Sequence, residues 1–200
     1  MPMFERYNKV QKAVLETTLH LIIDRELQAT SMSLIAKDSG VSTGNIYHYF
    51  SSKEDIINEL YKAIVLFNGE FVMKGMNEAE SVLERFRRAW RSVIELGKQH
   101  PKGFRFIEQY SFSPYIYEQS KLEAYKGGWC GPLEELYRRA VEEGLFVSLD
   151  SHMMVQMHYG SIVYLLKSHQ QNMLELTDDV AEQAILACWN AVSKEKGWNG

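Results

Sequence analysis

Residues 31–53, SMSLIAKDSGVSTGNIYHYFSSK, constrain this chain more than any other stretch. The segment reads as two short helices joined by a tight turn. Ser31 suits an N-cap, because its hydroxyl can accept from a free backbone N–H of the first turn. Leu34 and Ile35 give the first helix apolar contacts, and Ala36 is small enough for a second helix to cross closely. Gly40 stands where a helix ends in a left-handed residue, a conformation glycine adopts without Cβ strain. Val41 plugs the corner. Ser42 caps a second helix over Thr43–Phe50, with Ile46 and Phe50 four apart on one face. Thr43, Asn45, Tyr47, His48 and Tyr49 are left to point outward or sideways. Such donors, acceptors and rings suit phosphates and base edges. No acidic residue stands between Ser39 and Lys53 to repel a phosphate backbone. The stretch therefore predicts a helix-turn-helix that reads DNA.

Residues 10–64 resemble the N-terminal DNA-binding domain of the TetR family of bacterial transcriptional regulators. The resemblance rests on Ala13 and the apolar run of helix 1, on Thr30, and on Ile35-Ala36. It continues through Gly40-Val41-Ser42, Gly44, Ile46-Tyr47, Tyr49-Phe50 and Lys53, over about a quarter of the chain. One departure is visible: the family usually has glycine after helix 1, where this chain has Arg25-Glu26-Leu27. The fold expected is all-α, with a three-helix DNA-binding domain over 1–55. A larger helical effector-binding and dimerisation domain over 56–200 follows, for about nine helices. Helix 3 enters the major groove, with Thr43, Gly44 and Asn45 near base edges. Tyr47, His48 and Tyr49 contact phosphates or bases, and Lys53 with the helix 4 N-terminus holds a phosphate. Ser31, Ser33 and Ser42 complete the expected DNA-contacting set.

Charge does not by itself announce a nucleic-acid binder. The chain of 200 residues carries a net charge of −4. Within residues 1–55, Arg6, Lys9, Lys12, Arg25, Lys37 and Lys53 face Glu5, Glu16, Asp24, Glu26, Asp38, Glu54 and Asp55, a sum of −1. Modest non-specific affinity follows, with specificity carried by base contacts and dimer geometry. Apolar runs are too short for a bilayer span, and MPMFERYNKV has no apolar signal core, so a cytoplasmic protein with no membrane partner is expected. Cys130 and Cys188 are single and far apart, which fits a reducing compartment and gives no metal pair.

Helical periodicity dominates the chain. Helix 1 is expected from Tyr7 to Arg25, with Val10, Ala13, Val14, Thr17 and Leu21 on one face. Helix 4 starts at Ser52, where Ser52 and Asp55 have capping-box spacing, and runs towards Phe71. Further helices are expected over Asn77–His100, Phe104–Phe112, Tyr115–Tyr125, Pro132–Glu143, Ser151–Gln170 and Thr177–Lys196. The last two are apolar on more than one face, which a surface helix would not be. The resemblance implies a homodimer built on them, with Met154, Ser161, Leu165, Ala184, Ala187, Cys188 and Ala191 at the interface. Burial inside the subunit is the competing explanation.

The middle of the chain is rich in rings. The resemblance implies a small effector bound between helices, and Phe86, Trp90, Phe104, Glu108, Tyr110, Trp129, Tyr137 and Met157 are the expected lining. An apolar or aromatic molecule fits such a wall. Core packing is the ordinary explanation for any one ring. Glu108, if buried without a cation, would favour a cationic ligand, and pairing with Arg105 would remove that preference. Met154, Met157 and His158 share a face and suit Cu(I), but methionine is a routine core filler, and no metal or cofactor is expected. No HExxH, CxxC, GxSxG or P-loop points to an enzyme. The function expected is a repressor released from operator DNA by its effector through a two-state change in the spacing of the DNA heads. Control by a protein partner is the alternative on the same fold, and a helical enzyme the alternative in another class.

Overall fold

The computed structural model describes residues 3–77, 81–128 and 130–195. Among these, ten helices account for the regular structure: α1 (Lys9–Ala29), α2 (Met32–Ser39), α3 (Thr43–Tyr49), α4 (Lys53–Asn77) and α5 (Val82–Gln99). They are followed by α6 (Pro101–Tyr110), α7 (Glu118–Gly127), α8 (Cys130–Glu142), α9 (Ser151–Gln170) and α10 (Asp178–Val192). The chain packs as two compact units. One holds residues 1–67 and 100–128, the other 68–99 and 129–200. The packing division therefore does not follow the boundary expected at residue 55. α4 continues unbroken through that point, and α6 packs on α1 in the first unit.

In the first unit, Leu15, Ile22, Ile35, Ile46, Ile57, Leu60 and Phe106 are fully buried in one core. Asn58 is buried among them on α4. Its amide donates to the Tyr115 carbonyl at 3.0 Å and its Oδ1 accepts from Tyr117 N–H at 2.8 Å. A buried polar group held at both ends fixes the loop between α6 and α7 against α4. Nothing local in the sequence distinguishes Asn58 from other polar residues on a helix. In the second unit, α5, α8, α9 and α10 enclose Phe86, Trp90, Tyr137, Phe146 and Trp189. Gly97 lets α5 approach α9 closely, since a Cβ there would meet Leu166 Cδ1 at 2.7 Å.

Several boundaries differ from those the sequence predicts. α1 continues past Arg25 to Ala29, with one interruption at Glu26, whose φ is 65° and ψ 161°. α4 extends to Asn77 rather than Phe71, and α5 begins at Val82, after the Ser81 hydroxyl accepts from Glu84 N–H at 3.1 Å. α6 begins at Pro101 rather than Phe104, because the missing N–H of proline has no partner to lose in a first turn. α6 ends at Tyr110, α7 begins at Glu118, and α8 begins at Cys130, ahead of Pro132. α10 stops at Val192 because the chain turns to pair with residues 145–147. Val147 N–H donates to Val192 O at 2.8 Å and Lys194 N–H to Leu145 O at 3.0 Å.

Candidate nucleic-acid interface and subunit groove

The helix-turn-helix is built by local caps. Ser31 Oγ accepts from Leu34 N–H at 3.2 Å, and Gly40 ends α2 at φ 69°. Ser42 Oγ accepts from Asn45 N–H at 3.3 Å and opens α3. Ile46 and Phe50 are buried, so the opposite side of α3 must face solvent. Ser31, Ser33, Ser42, Thr43, Gly44, Asn45, Tyr47, His48 and Tyr49 are all exposed. His48 and Tyr49 meet edge to face with centroids 4.9 Å apart. α3 carries no acidic residue, and a Cβ on Gly44 would meet nothing within 4 Å. This face can lie flat against a duplex, with hydroxyl, amide, imidazole and phenol groups as its reading edge.

The start of α4 differs from the sequence expectation. Ser52 Oγ accepts from Asp55 N–H at 3.0 Å, as a capping box requires. The Asp55 carboxylate, however, accepts from Ser51 N–H at 2.9 Å and from Ser51 Oγ at 3.2 Å. A carboxylate of the chain itself thus occupies part of what was expected to hold a phosphate. Lys53 is half-buried and donates from Nζ to Leu27 O at 3.4 Å. That bond uses one of its three donors and leaves two.

The seven expected interface residues come together. Met154, Ser161, Leu165, Ala184, Ala187, Cys188 and Ala191 all line one groove of 430 Å³ between α9 and α10, with Met157 and His158 beside them. No charged side chain is in this lining. Met157 is 62% exposed, and burial pushes the Cys188 thiol up to about 11. Among the described residues no group of three or more His, Cys, Asp or Glu side chains could hold a metal ion.

Beneath the groove runs a buried polar relay that sequence reasoning missed. Trp90 Nε1–H donates to Tyr137 Oη at 2.8 Å, and Tyr137 Oη lies 2.6 Å from His158 Nδ1. Its members are separated by 47 and 21 positions, so no local signal could join them. Burial lowers the His158 pKa to about 4, which keeps the imidazole neutral at neutral pH.

The expected effector lining is distributed between the two units. Phe86, Trp90 and Tyr137 lie in the second unit, where Phe86 packs ring against ring on Tyr137 at 5.7 Å and on Trp189 at 5.2 Å. These rings fill a core instead of walling an open chamber. Met157 belongs to the α9–α10 groove. Phe104, Glu108 and Tyr110 lie in the first unit, with Tyr110 tilted on Phe106 at 5.3 Å. Glu108 is half-buried, not sealed in a pocket as the cationic-ligand idea requires. Trp129 lies outside the described residues.

These features define a helix-turn-helix regulator with a helical second region. Residues 14–60 match the family model for bacterial regulatory proteins of the tetR family, and residues 82–193 match that of the tetracyclin repressor-like C-terminal domain. The chain belongs to the TetR family of DNA-binding transcriptional regulators. It is 20% identical to an uncharacterised HTH-type transcriptional regulator of Haemophilus influenzae over 90% of this chain and 94% of that one. A TetR family transcription regulator of Marinobacter aquaeolei superposes with a TM-score of 0.85 at 22% identity, covering 93% of this chain and 96% of that one. AibR, solved with isovaleryl coenzyme A and operator DNA, superposes with a TM-score of 0.73 at 22% identity, covering 88% and 96%. These relatives are regulators, not enzymes, and among the described residues no helix is long and apolar enough to cross a membrane.

Proposed function

We propose that this regulator is a cytoplasmic, homodimeric repressor that leaves its operator when an effector with an apolar or aromatic part binds. The observation that carries the reading is the pairing of two surfaces on one chain. One is an exposed, uncharged reading face on α3, and the other is an apolar, charge-free groove between α9 and α10. A monomer gains nothing from leaving such a groove open, whereas a two-fold dimer buries it and presents two copies of α3. Ser31, Ser33, Ser42, Thr43, Gly44, Asn45, Tyr47, His48 and Tyr49 supply the DNA contacts in this reading. The isovaleryl group of the coenzyme A thioester in the AibR complex supports an apolar acyl part, carried there on a large anionic coenzyme. Because Phe86, Trp90 and Tyr137 are packed against one another, an effector that used them would stabilise a more open state of that core. It releases DNA only to the extent that it binds the DNA-free state better.

The test is to recover bound fragments from genomic DNA with the full-length protein and titrate acyl-coenzyme A thioesters against the complex. The expected result is a pseudo-palindromic site, its half-sites about 34–36 Å or a multiple apart, from which a thioester displaces the protein. Failure to enrich any site overturns the DNA-reading role. Site enrichment without displacement, and without thermal stabilisation by any thioester, overturns the proposed effector class.

Lys53 gives a separate test of the start of α4. Lys53→Ala should weaken cognate and random DNA about equally. The log–log salt slope should fall by roughly 0.9 for each phosphate that Lys53 neutralises, about twice that in a dimer. An unchanged slope would assign Lys53 to the Leu27 carbonyl alone.

A further inference from the structure

α3 has a centre that the fold of the subunit does not account for. At about 100° per residue, Gly44 and His48 stand four apart on one side of the helix, and Ile46, two residues from each, is buried on the other. Gly44 is therefore in the middle of the exposed face. Its backbone is ordinary helix and not left-handed, so no turn requires glycine there. A Cβ on it would meet nothing within 4 Å, so no neighbour in the subunit requires glycine either. Alanine would serve the helix better, since glycine loses more chain entropy on folding. A missing side chain from which the subunit gains nothing calls for close approach by something outside it.

The flanking groups narrow what that is. Asn45 is exposed; its backbone N–H is taken by Ser42 Oγ, while its side-chain amide bonds to no described residue. It is the one side chain on α3 with a donor and an acceptor in a fixed fork, the pattern that matches the N6 amino group and N7 of adenine. α3 carries no arginine or lysine to grip O6 and N7 of guanine, and no carboxylate to accept from N4 of cytosine. Lys37 stands on α2, and Lys53 donates to Leu27 O. Ser42, Thr43, Tyr47 and His48 offer single contacts, which discriminate less than a fork. The apolar group on a major-groove edge is the thymine methyl, and a helix that lacks a Cβ at its centre can close on it. Neighbouring Cα atoms are about 3.8 Å apart, close to the ~3.4 Å between successive bases, so Gly44 and Asn45 suit adjacent base pairs.

We infer that α3 reads a step of two adjacent A·T pairs in each half-site, with adenine under the Asn45 amide and the neighbouring thymine methyl against the bare Cα of Gly44. The inference rests on the DNA-reading role and adds to it which bases are read and by which two residues. An uncharged reading helix gains little from the phosphates, so its contribution is selectivity among base pairs.

Selection from random duplexes with the full-length protein should return half-sites holding that A·T step. Fluorescence anisotropy on the selected site then separates the two contacts. Deoxyuridine in place of the thymine of one half-site removes only the methyl. It should weaken wild-type binding about fourfold, the worth of one buried methyl group, and leave Gly44→Ala unaffected. In place of the adenine, 7-deazaadenine removes one acceptor. It should weaken wild-type binding about tenfold and leave Asn45→Ala unaffected. Gly44→Ala itself should bind the site roughly tenfold or more weakly, while its thermal midpoint stays level or rises, opposite signs that a merely structural glycine would not give. Asn45→Ala should lose roughly ten- to hundredfold of the discrimination at the adenine position. Selected half-sites with G·C at these positions, or analogue effects equal in wild type and variants, overturn the base assignment while DNA reading stands. Failure to select any site overturns DNA reading itself, and the assignment with it.

Discussion

Ala187→Glu should yield a folded monomer that no longer holds its operator. Ala187 is exposed in the isolated subunit and lines the groove with Ala184 and Ala191. A glutamate there meets water when the chain is alone, so helix content and thermal unfolding of the subunit should barely change. In the dimer the carboxylate is forced into an apolar, charge-free surface. An uncompensated buried charge costs about 3–5 kcal/mol, and two-fold symmetry delivers two of them. The dimer constant should therefore weaken by more than about a thousandfold, since each 1.4 kcal/mol is tenfold. Operator affinity should fall with it, because each chain then holds a single half-site. Sedimentation and fluorescence anisotropy on one preparation read both effects. A variant that remains a dimer at micromolar concentration would place the interface elsewhere.

The parts of this molecule that could be read from sequence are those whose physics is local. Ser31, Gly40 and Ser42 act within a few residues of themselves, and each does in the structure what its chemistry requires. The groove residues were legible for a related reason. α9 and α10 are apolar on more sides than one subunit can bury, and that surplus is visible as periodicity. The rest depends on partners far along the chain. Whether Phe86 or Phe104 lines a pocket or packs a core is decided by which helices meet, and the placement of α6 beside α1 has no signature in residue type. The relay from Trp90 to His158 is of the same kind. Asp55 shows a finer limit: its capping spacing is correct, but its carboxylate bonds to Ser51 and not to the N–H of Ser52.

Glu26→Gly should stabilise the first unit, although it removes a side chain. Glu26 has φ 65° and ψ 161°, a region that L residues with a Cβ avoid and glycine enters freely. It stands in the Arg25-Glu26-Leu27 segment, where the sequence departs from the glycine its family usually carries. The surroundings hold it there. Thr30 Oγ1 donates to the Glu26 carbonyl at 3.0 Å, Thr30 N–H donates to Leu27 O at 3.3 Å, and Lys53 Nζ reaches the same oxygen at 3.4 Å. Leu27 is buried, which fixes the direction in which the chain must leave the corner. Such a conformation costs a non-glycine residue about 1–3 kcal/mol. Glycine loses more chain entropy on folding, about 0.5–1 kcal/mol, which offsets part of the gain. Glu26 is exposed and its side chain makes no ion pair among the described residues, so little else is lost. The net expectation is added stability of up to about 2.5 kcal/mol, read as a higher denaturant midpoint with an unchanged slope. Glu26→Ala should not reproduce the gain, because alanine keeps the Cβ that causes the strain. Equal stabilisation by both variants would show that charge, not backbone conformation, is what Glu26 contributes at this corner.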